Sequence, residues 1–317
     1  MKIAVYGAWH VHAQDYTPVA MELGEVIGVY EEDTGRRKSF CEKFGLHEFA
    51  TPEELLESDA EGVIVCCATH AHTDAMIRIA NAGKHIFTEK VLALTDEDCA
   101  KIEKAVNDNK VNFVISLVKK YDAAPQTIKQ ICDSGELGKM NYLRFRNCHS
   151  GSIADWLPPH FYNVGECGGG AMIDLGAHGM YLTHWLLGMP EKFTSVFTHC
   201  CSNPSTLSKN TDCVEDNAVT VMGYSDGCIA INETGFVSNY YPTSLEIGGE
   251  SGYVRMEGKK VVKATKATGG QAVEVPLEEK LPSPLQQFLS GNILEGCGIK
   301  EAKALTHMMV EAYKHVQ

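Results

Sequence analysis

The residues best suited to chemistry in this chain are a lysine, an aspartate and a histidine. Lys90 follows Glu89 directly after the apolar run His85-Ile86-Phe87-Thr88. In open α/β sheets ligands gather at the carboxyl ends of the strands, so a lysine there can aim a cation at a ligand. An ordinary surface ion pair with Glu89 is the plainer alternative. Asp174 and His178 lie in Gly168-Gly169-Gly170-Ala171-Met172-Ile173-Asp174-Leu175-Gly176-Ala177-His178. Three glycines let a backbone turn tightly or come close to a ligand. At i, i+4 the two polar residues share one helical face. A carboxylate beside an imidazole orients it and raises its pKa, which suits a general acid/base. The same pair could equally be a buried anchor for the helix.

A second constellation lies at the start of the chain. Gly7-Ala8-Trp9-His10-Val11-His12 follows a short apolar run and precedes a helix-like stretch. Free backbone N–H groups and a helix dipole then meet at one point, which favours an anion. Against the dinucleotide fingerprint G-x-G-x-x-G only Gly7 matches; Trp9 and His12 replace the second and third glycines. Glu31 ends the next strand, where an acid can accept hydrogen bonds from an adenine ribose diol. That favours NAD over NADP, although Arg36 or Arg37 could pair with a 2′-phosphate. His10-x-His12 and His70-x-His72 could chelate a metal if each sat on a strand. Metal-dependent barrels use such pairs, but a barrel needs eight β/α units and the second half here reads otherwise. We therefore expect no metal site.

The elements that must position these residues change character along the chain. Apolar runs at 2–6, 26–30, 62–67, 85–88 and 112–118 alternate with helical patterns at 13–23, 36–44, 53–56, 75–82 and 96–107. Alternation of this kind builds right-handed βαβ units and a parallel, doubly wound sheet. After a helix at 124–133 come strands at 140–146, 194–198, 218–224, 228–236, 243–248, 253–257 and 260–264, separated by turn pairs typical of antiparallel hairpins. Helices at 171–187 and 300–315 complete the reading. The expected fold is an N-terminal parallel α/β domain over 1–119. A C-terminal α+β domain over 120–317 carries a large, mainly antiparallel open sheet, and the last helix, 300–317, packs back on the first domain.

Composition narrows the function. The 317 residues carry a net charge of −13, which argues against nucleic acid or an anionic membrane as partner. No apolar stretch is long enough to span a bilayer, and the start lacks the pattern of a signal peptide. The 12 cysteines are scattered, with adjacent pairs at Cys66-Cys67 and Cys200-Cys201 and no CxxC, so they read as reduced, buried thiols in a cytoplasmic protein.

These pieces together resemble the Gfo/Idh/MocA family of NAD(P)-dependent sugar and polyol oxidoreductases. Gly7 and Glu31 resemble the cofactor fingerprint of its Rossmann domain. Ala82-Gly83-Lys84-His85-Ile86-Phe87-Thr88-Glu89-Lys90 is similar to its A-G-K-H-V…E-K-P segment, with Val91 for the proline. The stretch 168–178 is similar to its G-G-G…D-x-G-x-H segment. Val214-Glu215-Asp216-Asn217 and Asp226-Gly227 resemble the strand pair that follows. The resemblance implies that Lys90 binds both cofactor and reacting hydroxyl, that His178 is the proton donor or acceptor, and that Asp174 is its partner. It also implies cofactor contacts from Gly7, Trp9, His10, Val11, His12, Glu31, Arg36, Ala68, Thr69, His72, Glu89 and Lys90. The family's T-P is Cys67-Ala68 here, and Trp9 adds bulk where backbone should meet a pyrophosphate.

Lys120, Tyr121, Asp155, Trp156, His160 and Tyr162 lie on segments expected to face a substrate. Aromatic platforms among hydrogen-bonding groups suit a sugar, cyclitol or glycoside. The resulting expectation is hydride transfer between NAD and a secondary hydroxyl or ketone, with Lys90 polarising the oxygen. The alternatives are a non-catalytic sensor of the same fold, or redox-neutral glycoside cleavage with tightly held NAD. An exposed sheet face would favour a homodimer or homotetramer.

Overall fold

A computed structural model describes residues 1–199 and 214–317. The chain divides into two compact units. The first comprises Met1–Ser116 and Pro282–Thr306, and the second Leu117–Leu281 and His307–Gln317. Cys200, Cys201 and Cys213 lie outside the described residues.

The first unit is built on strands β1 (Lys2–Tyr6), β2 (Glu25–Tyr30), β3 (Gly62–Val65), β4 (His85–Thr88) and β5 (Phe113–Ile115). All pair in parallel, in the order β2-β1-β3-β4-β5. β3 and β5 are buried along their whole length, the pattern of strands covered on both faces. Between β1 and β3 the order reverses direction. Such a switch point splays the loops that follow the two strands, here Gly7–His12 and the residues from Cys66 onward, and opens a ligand position between them. Helices Ala13–Leu23, Thr34–Phe44, His72–Asn81 and Asp96–Asn109 make the crossovers. Asp33 caps the second of these through the Arg36 N–H, and Thr95 caps the last through the Asp98 N–H.

The stretch 112–118, expected as one strand, is a strand only over Phe113–Ile115 and becomes a 3₁₀ turn at Val118–Tyr121. The run 62–67 likewise stops at Val65, because Cys66 turns to accept the His10 N–H on its carbonyl at 3.0 Å. The later segment of the first unit, Pro282–Thr306, includes only the start of the last helix, Ile299–Lys314. It brings a helix, Pro284–Ser290, that the periodicity does not reveal. Ser283 and Gln286 form a capping box at its start, and Phe288 packs 5.9 Å from Phe87. The cap signature stands in the sequence, but a helix of seven residues is too short to show a 3.6-residue period.

The second unit is an eight-stranded sheet of β6 (Met140–Cys148), β7 (Lys192–Thr198), β8 (Asn217–Gly223), β9 (Ile229–Gly235), β10 (Ser244–Gly249), β11 (Gly252–Glu257), β12 (Lys260–Thr265) and β13 (Val273–Glu274). Its order is β13-β12-β11-β10-β6-β9-β8-β7, and only the β6–β9 pair is parallel. Buried and open positions alternate along β6, β7 and β8, as expected for a sheet covered on one face. The covering helix presses close. A Cβ on Gly179 would lie 2.1 Å from Asn232 Oδ1 and 2.7 Å from Phe145, so only glycine permits this approach.

That helix differs from expectation. The α-helix spans only Ala177–Leu187, and Met172–Gly176 forms a wider π turn before it. Among the described residues, no helix is long and apolar enough to cross a membrane. The nine described cysteines are all free thiols, six of them buried, while Cys67, Cys132 and Cys148 are only partly covered.

Candidate functional site

In the first unit the site is assembled at the carboxyl ends of β1, β3 and β4. Gly7 ends β1 with φ of 92°, and a Cβ there would lie 2.3 Å from the Cys67 nitrogen. The first glycine of the loop is thus demanded by the protein's own β3 loop. Trp9 is only 5% exposed. Val11, at 40% exposure, and the half-buried His12 are what this loop presents outward.

Glu31 is buried and has protein partners for both oxygens. Oε2 accepts the Ala8 N–H at 2.6 Å, and Oε1 accepts the Asp33 N–H at 3.0 Å. Arg36 Nε lies 3.2 Å from Oε1. The acid at the end of β2 therefore shapes the loop after β1.

Glu89 is the hub of the site. It is 1% exposed, and its Oε1 lies 2.9 Å from His12 Nδ1 and also accepts the Tyr16 hydroxyl. Its Oε2 accepts the Lys90 N–H at 3.0 Å. Tyr16 Oη continues the chain to Ser116 Oγ at 2.6 Å. Burial pushes the Glu89 carboxyl up, but the charges of His10, His12 and Lys90 together outweigh it and hold the group well below the ordinary carboxylate range. Burial and the neighbouring Glu89 push the Tyr16 phenol far up, so it remains a donor. Lys90 itself is 5% exposed, and a lysine so covered belongs to a charge-balanced cluster.

His10, His12 and Glu89 bring three potential ligand atoms within 4.8 Å of one another, a group that could hold a metal ion. As built, the protein balances it internally. His12 meets Glu89 directly, His10 Nδ1 accepts the His12 N–H at 3.2 Å, and the Lys90 charge acts on the same carboxylate. The second histidine pair separates: His70 is exposed and His72 is 1% exposed. His72 Nδ1 lies 2.9 Å from the Val91 carbonyl, and burial lowers its pKa, so a neutral ring clamps the loops after β3 and β4. His72 is thus an internal strut between these loops. Ala68 and Thr69, both buried, start the 3₁₀ turn leading to it.

In the second unit two of the three glycines serve the protein's own packing. A Cβ on Gly169 would lie 2.0 Å from the Tyr313 hydroxyl, and one on Gly170 would lie 1.9 Å from the Glu215 carbonyl. Glu215, 6% exposed, accepts the Gly170 N–H at 3.0 Å, the Met172 N–H at 2.9 Å and the Tyr313 hydroxyl at 2.7 Å. Burial raises its pKa, and these hydrogen bonds pull it back. The π turn Met172–Gly176 that carries Asp174 starts from this clamp.

His178 is 7% exposed, and its Nδ1 lies 2.8 Å from the Tyr181 hydroxyl. The same hydroxyl accepts the Lys119 N–H at 3.0 Å. Sequence reasoning paired His178 with Asp174 at i−4 and overlooked Tyr181. The signal was available, since i+3 residues meet on a helix as i+4 residues do. The π turn between Asp174 and His178 departs from the α-helical spacing on which the Asp174 pairing was argued.

The expected substrate residues divide by burial. Lys120, Tyr121 and Tyr162 are buried, at 5%, 3% and 5% exposure. Lys120 Nζ lies 5.4 Å from the Trp185 ring centre, and Tyr162 Oη lies 2.8 Å from Ser152 Oγ. Trp156 is 55% exposed and sits 4.6 Å from His149, which stacks on Phe236 at 4.9 Å. Asp155 is exposed at φ 54°, and His160 is half-buried. Trp156 thus remains an open aromatic platform.

Comparison with known proteins agrees with this organisation. Residues 1–116 match the family described as "Oxidoreductase family, NAD-binding Rossmann fold", and residues 126–255 match the "GFO/IDH/MocA C-terminal domain". An inositol 2-dehydrogenase of Salmonella paratyphi B is 25% identical over 237 residues, 73% of this chain and 66% of that protein. A scyllo-inositol 2-dehydrogenase (NAD(+)) of Bacillus subtilis is 28% identical over 225 residues, 69% of this chain and 62% of that protein. The chain thus spans just under two thirds of the length of these curated relatives. The crystal structure of an aldose-aldose oxidoreductase from Caulobacter crescentus has the same fold, with a TM-score of 0.82 at 17% identity over 99% of this chain and 97% of that one.

Proposed function

Because the chain belongs to the GFO/IDH/MocA family of NAD-binding oxidoreductases, we propose that it moves a hydride between NAD and a secondary hydroxyl or ketone of a sugar or cyclitol. The observation that carries the reading is Lys90. It is a buried lysine at the carboxyl end of β4, in a cluster with an ionised, buried Glu89.

The residues of the first unit suit the cofactor. The loop Gly7–His12 and the start of helix Ala13–Leu23 lie at the switch point and would hold a diphosphate, with His12 as a donor where a third glycine is missing. Glu31 and Arg36 would mark the adenosine end. When bound, the nicotinamide supplies or accepts the hydride. Lys90 steadies the charge that develops on the substrate oxygen, because an ammonium in a dry site acts strongly on an alkoxide. His178 exchanges the proton of that oxygen. Trp156 offers the sugar an aromatic face. The names of the curated relatives favour an inositol or similar ring. The open sheet face, with Val196 and Val221 exposed, would pair subunits into a homodimer or homotetramer.

The test starts with binding. NAD(H) should raise the melting temperature and enhance NADH fluorescence. If neither NAD(H) nor NADP(H) does so at millimolar concentration, the reading fails. A screen of inositols, sugars and glycosides for NAD⁺ reduction then finds the substrate. With that substrate, Lys90→Ala should lower kcat by roughly 10²- to 10⁴-fold while circular dichroism stays that of the parent. Full activity in Lys90→Ala would remove Lys90 from the mechanism.

A further inference from the structure

The contact between His178 and Tyr181 carries more than orientation. The Tyr181 oxygen accepts the Lys119 N–H at 3.0 Å, and His178 Nδ1 lies 2.8 Å from the same oxygen. The rings meet edge to face, at 79° and 5.6 Å between centres. A phenol has a single hydrogen to give. Giving that hydrogen to Nδ1 is compatible with the backbone donor that the same oxygen accepts. We propose that Tyr181 is the positioning residue of the acid/base, holding neutral His178 with its hydrogen on Nε2 and standing behind it as a proton source. This inference rests on the reading of His178 as the acid/base.

The proton balance follows. In carbonyl reduction, with reduced nicotinamide as the hydride source, the substrate oxygen gains charge as its carbon gains the hydride. That oxygen takes the Nε2 proton, and the N–H electron pair stays on the ring. Nδ1 takes the Tyr181 hydroxyl proton, leaving a phenolate against the Lys119 N–H until water restores it. The phenol thus acts through the imidazole, and His178 is neutral before and after. Oxidation is the same chain reversed.

The first experiment needs neither cofactor nor substrate. In ¹⁵N-histidine-labelled protein at neutral pH, long-range ¹H–¹⁵N correlation should show His178 with Nε2 protonated and Nδ1 as an accepting nitrogen. A proton on Nδ1 overturns the proposal while leaving the hydride-transfer reading standing. Failure to bind any nicotinamide sinks that reading whatever the tautomer. In the active enzyme, Tyr181→Phe keeps the ring and removes only the hydroxyl. It should lower kcat by roughly 10- to 100-fold with KM changed less than about 2-fold. In a His178→Ala background the same change should lower kcat no further, because the proposed role of Tyr181 runs through the imidazole. Unchanged kcat in Tyr181→Phe, or an equal loss in the His178→Ala background, overturns the proposal.

Discussion

His12 Nδ1 lies 2.9 Å from Glu89 Oε1, and this contact ties the loop after β1 to the end of β4. It brings an imidazole, a buried carboxylate and, through the Lys90 N–H, the lysine backbone into one network. The loop that lacks two of three glycines is thus held by a side-chain bond.

That bond makes stability depend on acid. The Glu89 carboxyl titrates well below its ordinary range in the folded protein. A carboxyl lowered in this way stabilises the fold above its unfolded pKa of about 4.3 and loses that contribution as pH falls through the folded value. Melting temperature should therefore drop below about pH 4.5, and Glu89→Gln should flatten the drop. Equal slopes in parent and variant, measured calorimetrically between pH 5 and 3, would show that Glu89 contributes nothing to it.

The glycines differ in what they do. Gly170→Ala drives a Cβ to 1.9 Å from the Glu215 carbonyl, backbone against backbone. It should cost on the order of 3 kcal/mol in urea unfolding. Gly45 has φ of 67° but nothing within 4 Å of a Cβ. Gly45→Ala should cost only about 1 kcal/mol, the strain of the left-handed backbone. Equal costs would mean the close approach at Gly170 relaxes freely.

Trp156 gives a test of substrate contact that spares the fold. At 55% exposure its removal should shift stability by no more than about 0.5 kcal/mol. If a sugar ring stacks on it, Trp156→Ala should raise KM roughly 2- to 10-fold. An unchanged KM would remove it from the substrate's surroundings.

Much of this molecule was legible in the sequence because the signals are local. Continuous apolar runs in the first unit and alternating ones in the second follow from whether a sheet is covered on two faces or one. Family membership was readable from 82–90 and 168–178, where residue type and spacing persist in order. The chain alone also drew attention to Lys90 and His178, both of which the structure buries.

Tertiary structure decided what those residues touch. The glycines at 169 and 170 looked ready for a ligand, but they exist for Tyr313 and Glu215, which lie far along the chain. His178 Nδ1 meets the Tyr181 hydroxyl, which also accepts an N–H from Lys119. His72 turned inward to clamp two loops, whereas His12 found Glu89. Sequence pattern reports which face of an element is buried, because burial repeats with the period of the backbone. It does not report which polar groups meet across elements, because that depends on how the loops close, and here it is what sets the chemistry.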